Sequence, residues 1–333
     1  MLRNSFAASR HRALWASLGL ACALVCAPAR ADRSSKPPEV GYNYGEIETP
    51  RIAAMGGAQR AFSNSLEALF INPANMAATP LYHLGALAQI WPESNRQSYG
   101  GGAVDSIVSS ARLAGGLGAT WNLQDQDGIE RQWTDLRFAL AFPFSQQFFL
   151  GVGGRHLWLK ENGDDGEIGA SAASGGLPDE QIVKGFSFDA GITLKPSPEF
   201  ALSLVGANLS NPGTGYQPTS VGGGVGFGNE NLTVEGDLLS DFTTWGETTV
   251  RAMIGGELLV ADHVSLRAGY RYDQGAESHA LSAGIGYIER AFDADIAVRR
   301  VLTPSDDAVT TIVFGFKYHL ESTGLTPTPE DTF

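Results

Sequence analysis

The sequence predicts an all-β protein: a 14-stranded antiparallel transmembrane β-barrel with a short N-terminal helical hatch. Three observations carry this reading. Apolar and polar residues alternate through segment after segment from Tyr82 to Leu320, most of these segments are 10 to 14 residues long, and their connections alternate between short and long. Soluble strands typically run about 5–6 residues, whereas a tilted strand needs about 9–11 to cross a bilayer. Composition agrees. In 333 residues, 43% are hydrophobic, 18% are charged and mean hydropathy is −0.08, too apolar for a disordered chain and too polar for a bundle of membrane helices. The net charge of −13 comes with no basic stripe, which argues against nucleic acid as a partner.

The N-terminus reads as an export signal. Arg3, Arg10 and Arg12 precede an apolar run, Ala13 to Ala27, that is too short to span a bilayer as a helix. It ends in Ala29-Arg30-Ala31, a small-residue cleavage pattern, so residues 1–31 are expected to be removed before Asp32. A lipoprotein signal ending at Cys22 is the rival, but Gly19 stands where such a motif wants a leucine-like residue. Cleavage leaves 19 basic groups against 36 acidic ones, a net charge of −17, and removes both cysteines, Cys22 and Cys26. A cysteine-free chain avoids wrong disulfides in an oxidising compartment.

Residues 32–80 form a lead-in and hatch, 81–320 the barrel, and 321–333 a Thr/Pro/acid tail expected to be disordered and periplasmic. The lead-in to residue 50 is polar and proline-bearing. Residues 51–79 are rich in Ala, Met and Leu and predict one or two short helices, with Ser63 or Ser65 as an N-cap. The period then changes to two. Strands are expected at 82–91, 97–106, 111–123, 130–142, 147–160, 183–195 and 198–209. Seven more follow at 219–229, 231–240, 248–260, 263–273, 277–290, 291–302 and 307–320.

Connections after even strands, such as Pro196-Ser197, Glu230 and Ala261-Asp262, are tiny, and those after odd strands are longer and polar. An even-stranded barrel with both termini in the periplasm has this parity. Trp91, Trp121, Trp133 and Trp158 fall near one set of strand ends, and Phe142, Phe144, Phe148, Phe149 and Phe200 near the other, as two aromatic girdles would. The polar face carries Arg251, Glu257, Arg267, Arg271, Asp293 and Asp295, among others. A charge facing lipid at mid-depth costs about 2–4 kcal/mol, so this face is assigned to the lumen, as a salt-bridge lattice rather than an ion path.

No phosphate-binding loop, zinc-protease motif or nucleophile elbow is present, so no enzymatic activity is expected. His83, His156, His263, His279 and His319 fall on different strands, so neither a metal nor another cofactor is expected. The glycines at 222–224, 226 and 228 lie within one strand and leave room for a plug or allow bending.

The hatch segment carries one specific signature. A Gly56-Gly57-Ala58 turn after Met55, then Ala68, then Asn72-Pro73-Ala74 and Met76, precede the first strand. This resembles the N-terminal hatch of the FadL-like long-chain fatty-acid transporters of the outer membrane and of the PorV-type accessory barrels that share their fold. The resemblance implies a channel for small hydrophobic molecules in the outer membrane of a Gram-negative bacterium, with Met55, Gly56, Gly57, Asn72, Pro73, Ala74 and Met76 forming hatch and gate. Asn72 before Pro73 favours an extended bend that ends a helix. Gly115, Gly116 and Gly118 could supply the strand kink of such transporters, or simply relieve the pleat. The segment from Glu161 to Ile182 is acidic and rich in small residues rather than apolar. It suits the alternative, a non-transporting scaffold that holds a secretion or surface-protein partner. The partners expected are outer-membrane lipid and either a hydrophobic ligand or such a protein.

Overall fold

The computed structural model describes residues 47–79, 82–107, 113–124, 130–162, 181–210, 217–243, 247–303 and 309–320. The expected signal peptide, the tail and most of the segment 161–182 lie outside them. Seven strands come first: β1 (Tyr82–Trp91), β2 (Arg96–Asp105), β3 (Ala114–Gln124), β4 (Glu130–Pro143), β5 (Phe148–Asn162), β6 (Gln181–Ser197) and β7 (Phe200–Ala207). Seven follow: β8 (Ser220–Gly228), β9 (Leu232–Asp241), β10 (Thr249–Val260), β11 (Val264–Asp273), β12 (Ser278–Ile288), β13 (Phe292–Thr303) and β14 (Thr310–His319). Each pairs antiparallel with the next, and β1 pairs with β14, so the sheet closes with no edge. At one rim the Leu320 amide donates to the Tyr82 carbonyl at 2.9 Å, joining the beginning and end of the barrel.

The period-two pattern sorts side chains as lipid and lumen demand. Leu136, Phe138, Leu140 and Phe142 point outward from β4, and Phe186, Phe188, Ile192 and Leu194 from β6. The polar alternates Asp135, Arg137, Arg155, Ser187 and Thr193 are buried inside. On β11, Leu266 is 45% exposed and its neighbour Arg267 only 6%. An apolar belt of this extent on every side is a lipid-facing surface, far beyond the patch a soluble monomer shows. The chain is an outer-membrane-type barrel.

Three aromatic assignments change. Trp91 and Trp133 are buried and face inward, sandwiching the Arg96 guanidinium at 4.0 and 4.9 Å, so only Trp121 and Trp158 of that set stand in a girdle. Phe149 likewise points inward. The cause is parity, since a one-residue offset swaps faces. Connection lengths follow the expected alternation except after β2, where residues 106–113 make a longer link.

The hatch contains helix α1 (Pro50–Ala54), helix α2 (Ser65–Ile71) and a 3-10 turn (Pro73–Ala77). Neither serine caps α2. Asn64 holds the extended N-cap position, and Ser65, at φ 49°, instead places its hydroxyl 2.7 Å from His83 Nδ1. The hatch meets the wall on three sides. Ala53 and Ala54 pack on Ala297 and Val313, while Ala58 packs on Leu239 and Met253. Leu66, Leu69, Phe70 and Met76 pack on Leu87, Val104, Ala114, Ala139 and Ala141.

Candidate functional site: the hatch and its seat in the barrel

The hatch begins with a cap. Thr49 accepts from the Ile52 amide at 3.5 Å and donates to Glu67 Oε1 at 2.9 Å, while Pro50 supplies a preset φ at the first turn. The helix ends at Met55, and Gly56 and Gly57 then take φ of 68° and 94°. Glycine is required here twice over. The conformation is left-handed, and a Cβ at Gly56 would lie 2.7 Å from the Tyr270 carbonyl oxygen. The wall reciprocates: Cβ atoms at Gly255 and Gly269 would lie 2.2–2.8 Å from Met55 and the Gly56 nitrogen. Backbone rests on backbone at this point, and Met55 is fully buried.

Beyond the glycines, two carboxylates of β9 hold four successive backbone amides. Asp237 Oδ2 accepts from the amides of Gln59 and Arg60, each at 3.0 Å, and from the Arg60 guanidinium at 3.1 Å. Glu235 accepts from Ala61 and, at 3.0 Å, from Phe62. The i, i+2 spacing places both acids on the lumenal face. Four amides that no helix satisfies are thereby paired, which a buried loop needs.

Asn72 ends α2 in extended backbone, as the following proline favours. Its side-chain Oδ1 accepts from the Ala74 amide at 3.2 Å, and its side-chain Nδ2 donates to the Arg60 carbonyl at 2.7 Å and to Thr193 Oγ1 at 2.9 Å. The Thr193 hydroxyl donates in turn to Asn75 Oδ1 at 2.6 Å, and the Asn75 side-chain amide donates to the Arg60 carbonyl and Ser63. Pro73 and Ala74 lie over Gly151, and Asn72 over Gly191, positions where a Cβ would meet them at 2.2–2.4 Å. Met76 approaches Gly116, while Leu69 and Phe70 approach Gly118. β3 keeps an unbroken register with both neighbours through Gly115, Gly116 and Gly118. In this structure Gly116 and Gly118 make space for hatch side chains.

The lumenal charges are joined to the hatch rather than only to each other. Glu257 bonds Arg51 of α1 at 3.0 and 2.7 Å and Arg267 at 2.5 Å, and Arg267 continues to Asp295 at 2.5 Å. Glu48 receives both Arg271 and Arg299, and Arg251 pairs with Asp273 at 2.7 Å. Glu67 receives Lys317 at 3.2 Å, and Lys317 also faces Asp293 at 3.7 Å. Burial pushes the Glu67 carboxyl upward, but Lys317 and Arg51 together hold it below the usual carboxylate range. Sequence reasoning named Arg251, Glu257, Arg267, Arg271, Asp293 and Asp295 but not their hatch partners Glu48, Arg51 and Glu67. Their signal was three charges within and just before an otherwise apolar segment.

Beside the hatch, toward β7–β10, lies an irregular cleft of about 70 Å³, partly open to solvent. Ile52, Phe70, Val205, Leu239 and Met253 line part of it, and Arg60, Arg137, Arg251 and Arg271 with Glu48 and Asp189 bring charges of both signs to the rest. A smaller space of about 20 Å³ adjoins it between Phe70, Pro73 and Gly153.

No protein-family model matches this chain, and no curated protein is similar to it in sequence. Solved structures are similar in shape. The monoaromatic hydrocarbon channel CymD superposes with a TM-score of 0.63 at 16% identity, over 84% of this chain and 99% of CymD. The Ralstonia pickettii toluene transporter TbuX gives 0.62 at 14% identity over 83% and 99% of the two chains. This is the FadL-like barrel fold. A Pseudomonas aeruginosa FadL homologue agrees, with a TM-score of 0.58 at 15% identity over 83% and 99%. At such identities the shared property is the fold itself. In this chain it is built from the 14 strands that the period-two pattern predicts.

Proposed function

We propose that this FadL-like barrel is an outer-membrane channel that admits small hydrophobic molecules, with both termini on the periplasmic side and residues 47–79 as its gate. One observation supports this above the others. The hatch is fastened by exchangeable polar contacts to a wall stripped to glycine, beside a cleft lined by both apolar and charged side chains. CymD is a monoaromatic hydrocarbon channel and TbuX a toluene transporter, and the same fold here argues for cargo of that physical class, from compact hydrocarbons to fatty acids.

The test locks the hatch. Ala58→Cys with Leu239→Cys joins two residues that pack together, in a chain whose own cysteines fall within the expected signal. Uptake of labelled toluene into proteoliposomes should stop when the pair is oxidised and return on reduction. Deleting 51–79 should give large, steady conductance in planar bilayers. Replacing Asn72 and Pro73 with alanine should give intermediate, flickering openings. Toluene uptake that ignores the lock would refute the gate.

A further inference from the structure

The inner face of β8 differs from the other seats of the hatch. After Ser220 its lumenal residues are Gly222, Gly224, Gly226 and Gly228, and the inner positions of β7 beside them include Ala201 and Ser203. On other strands hatch backbone rests on wall glycine, as Ala74 does on Gly151 and Met55 on Gly255 and Gly269. Over the β8 glycines no hatch backbone approaches. Beyond the backbone of the paired strands, the Leu239 side chain lies at Gly222, carboxylate oxygens of Asp237 and Glu235 at Gly224, and the Phe62 ring at Gly226 and Gly228. Side-chain ends move between rotamer wells, whereas a seated backbone must first be unfastened.

This glycine floor joins two spaces. At one end Ser220, Val205 and Leu239 line the cleft beside the hatch. At the other, Phe62, Gly228 and Thr233 line an open groove between the β6–β7 turn at Pro198 and Glu199 and the β8–β9 turn at Asn229 to Asn231. Both turns follow even-numbered strands, so the groove opens at the rim where Tyr82 meets Leu320. Midway along the floor stands Asp237, whose side chain is fully buried. Its Oδ2 holds the amides of Gln59 and Arg60, but its Oδ1 meets no donor among the described residues. That oxygen lies 2.2 Å from where a Cβ of Gly224 would be. A buried carboxylate oxygen calls for a donor, and along this floor a water molecule or a passing hydroxyl can reach it.

We infer that the inner face of β8 is the passage past the fastened hatch, from the cleft to the rim, with Phe62 as its door. The ring is half-buried and closes the rim end by lying over Gly226. When it turns out into the groove, the floor is continuous from Ser220 to Gly228. Glu235 keeps the Phe62 amide at 3.0 Å and Asp237 keeps those of Gln59 and Arg60, so the door swings without releasing residues 59–62. The wall itself is not crossed, because β8 holds an unbroken register with both neighbours. The inference rests on the channel reading for its cargo, while the passage stands on the residues named here.

Planar-bilayer conductance and toluene uptake into proteoliposomes test the inference on the full-length protein. Phe62→Ala should raise both several-fold, while hydrogen exchange at the amides of Gln59 to Ala61 stays as in the wild type. Adding Gly226→Leu refills the space of the ring and should bring both back down. Adding Gly236→Leu instead, on the lipid face of β9 where a Cβ has 3.9 Å of clearance, should not. If the Gly226→Leu variant lacks the heat-dependent gel shift of a folded barrel, Phe62→Cys takes its place. Folded first, it should conduct, and benzyl maleimide should then close it. Unchanged conductance in Phe62→Ala, or a rise accompanied by faster exchange at those amides, overturns the passage. Toluene uptake keeps the two readings apart. If the wild type and Phe62→Ala take up none while conductance follows the substitutions, the channel reading for hydrophobic cargo falls and the passage stands. If uptake proceeds and ignores Phe62 and Gly226, the passage falls and the channel stands.

Discussion

Arg51 of the hatch and Glu257 of β10 form two parallel hydrogen bonds, at 3.0 and 2.7 Å, across the lumen's apolar packing. Their side chains are only 10% and 15% exposed. A fork-to-fork pair of this kind fixes orientation as well as position. It holds α1 at one angle on the wall, directly beside the Met55 contact with Gly255 and Gly269.

Breaking this pair from one side should loosen the hatch without unfolding the barrel. Glu257→Ala leaves Arg51 buried without its carboxylate, a loss of about 3–5 kcal/mol, while Arg267 keeps Asp295. Hydrogen exchange should accelerate at the amides of Ala53 to Gly57, with strand amides of β10 little affected. Replacing both Arg51 and Glu257 with leucine should recover part of the protection. Equal acceleration across hatch and barrel would count against the pair as a hatch anchor.

Two adjacent glycines offer a sharper contrast. A Cβ at Gly255 would lie 2.4 Å from the Met55 carbonyl oxygen, whereas at Gly256 the nearest atom is 3.8 Å away. Gly255→Ala should therefore displace the hatch and raise conductance, and Gly256→Ala should behave as wild type. Single-channel recording compares the two directly, and similar currents from both would show that Met55 does not seat there.

The face assignment is testable on β11. Leu266→Arg should destabilise folding into lipid vesicles by about 2–4 kcal/mol if the residue lies near mid-depth. Arg271→Ala should cost less, because Glu48 retains Arg299. Urea titration of both variants in vesicles gives the comparison, and the reverse order would place the wrong face toward lipid.

Hatch fastening should also depend on acid. The Glu67 carboxyl is held below its ordinary 4.5 by Lys317 and Arg51, against the upward push of burial. A carboxyl lowered on folding contributes stability that is fully present above its unfolded value and lost as pH falls through its folded value. Conductance should thus stay flat from neutral pH to about 5 and rise in more acidic solution. Glu67→Gln should raise it at neutral pH and flatten the acid response. Its persistence unchanged in that variant would assign it to another group.

Much of the hatch was legible before folding and some was not. Asn72-Pro73-Ala74 announced a bend because proline restricts the residue before it, and the structure has Asn72 extended and capping there. Ser63 and Ser65 misled because capping preference is local, while His83 and Asn75 recruit those two hydroxyls from elsewhere in the fold. The strand glycines were read as pleat relief, kink or room for a plug. Which of them the hatch occupies depends on backbone approaches between residues far apart in the chain.

The sequence by itself determined the strands, their number and the face most side chains take, with Trp91, Trp133 and Phe149 the named exceptions. Lipid on one side and a polar lumen on the other impose a period of two that any segment reveals alone. Only the tertiary structure decided who meets whom across the lumen. His83 and His319 are scattered singletons in the sequence, yet closure of β1 on β14 makes them register partners with rings 4.1 Å apart. Glu48 could have met any lumenal arginine; the path of the hatch gives it Arg271 and Arg299. The reason is physical. Alternation is a property of the local backbone, whereas pairing inside a barrel is set by closure and by the one route a folded hatch can take through it.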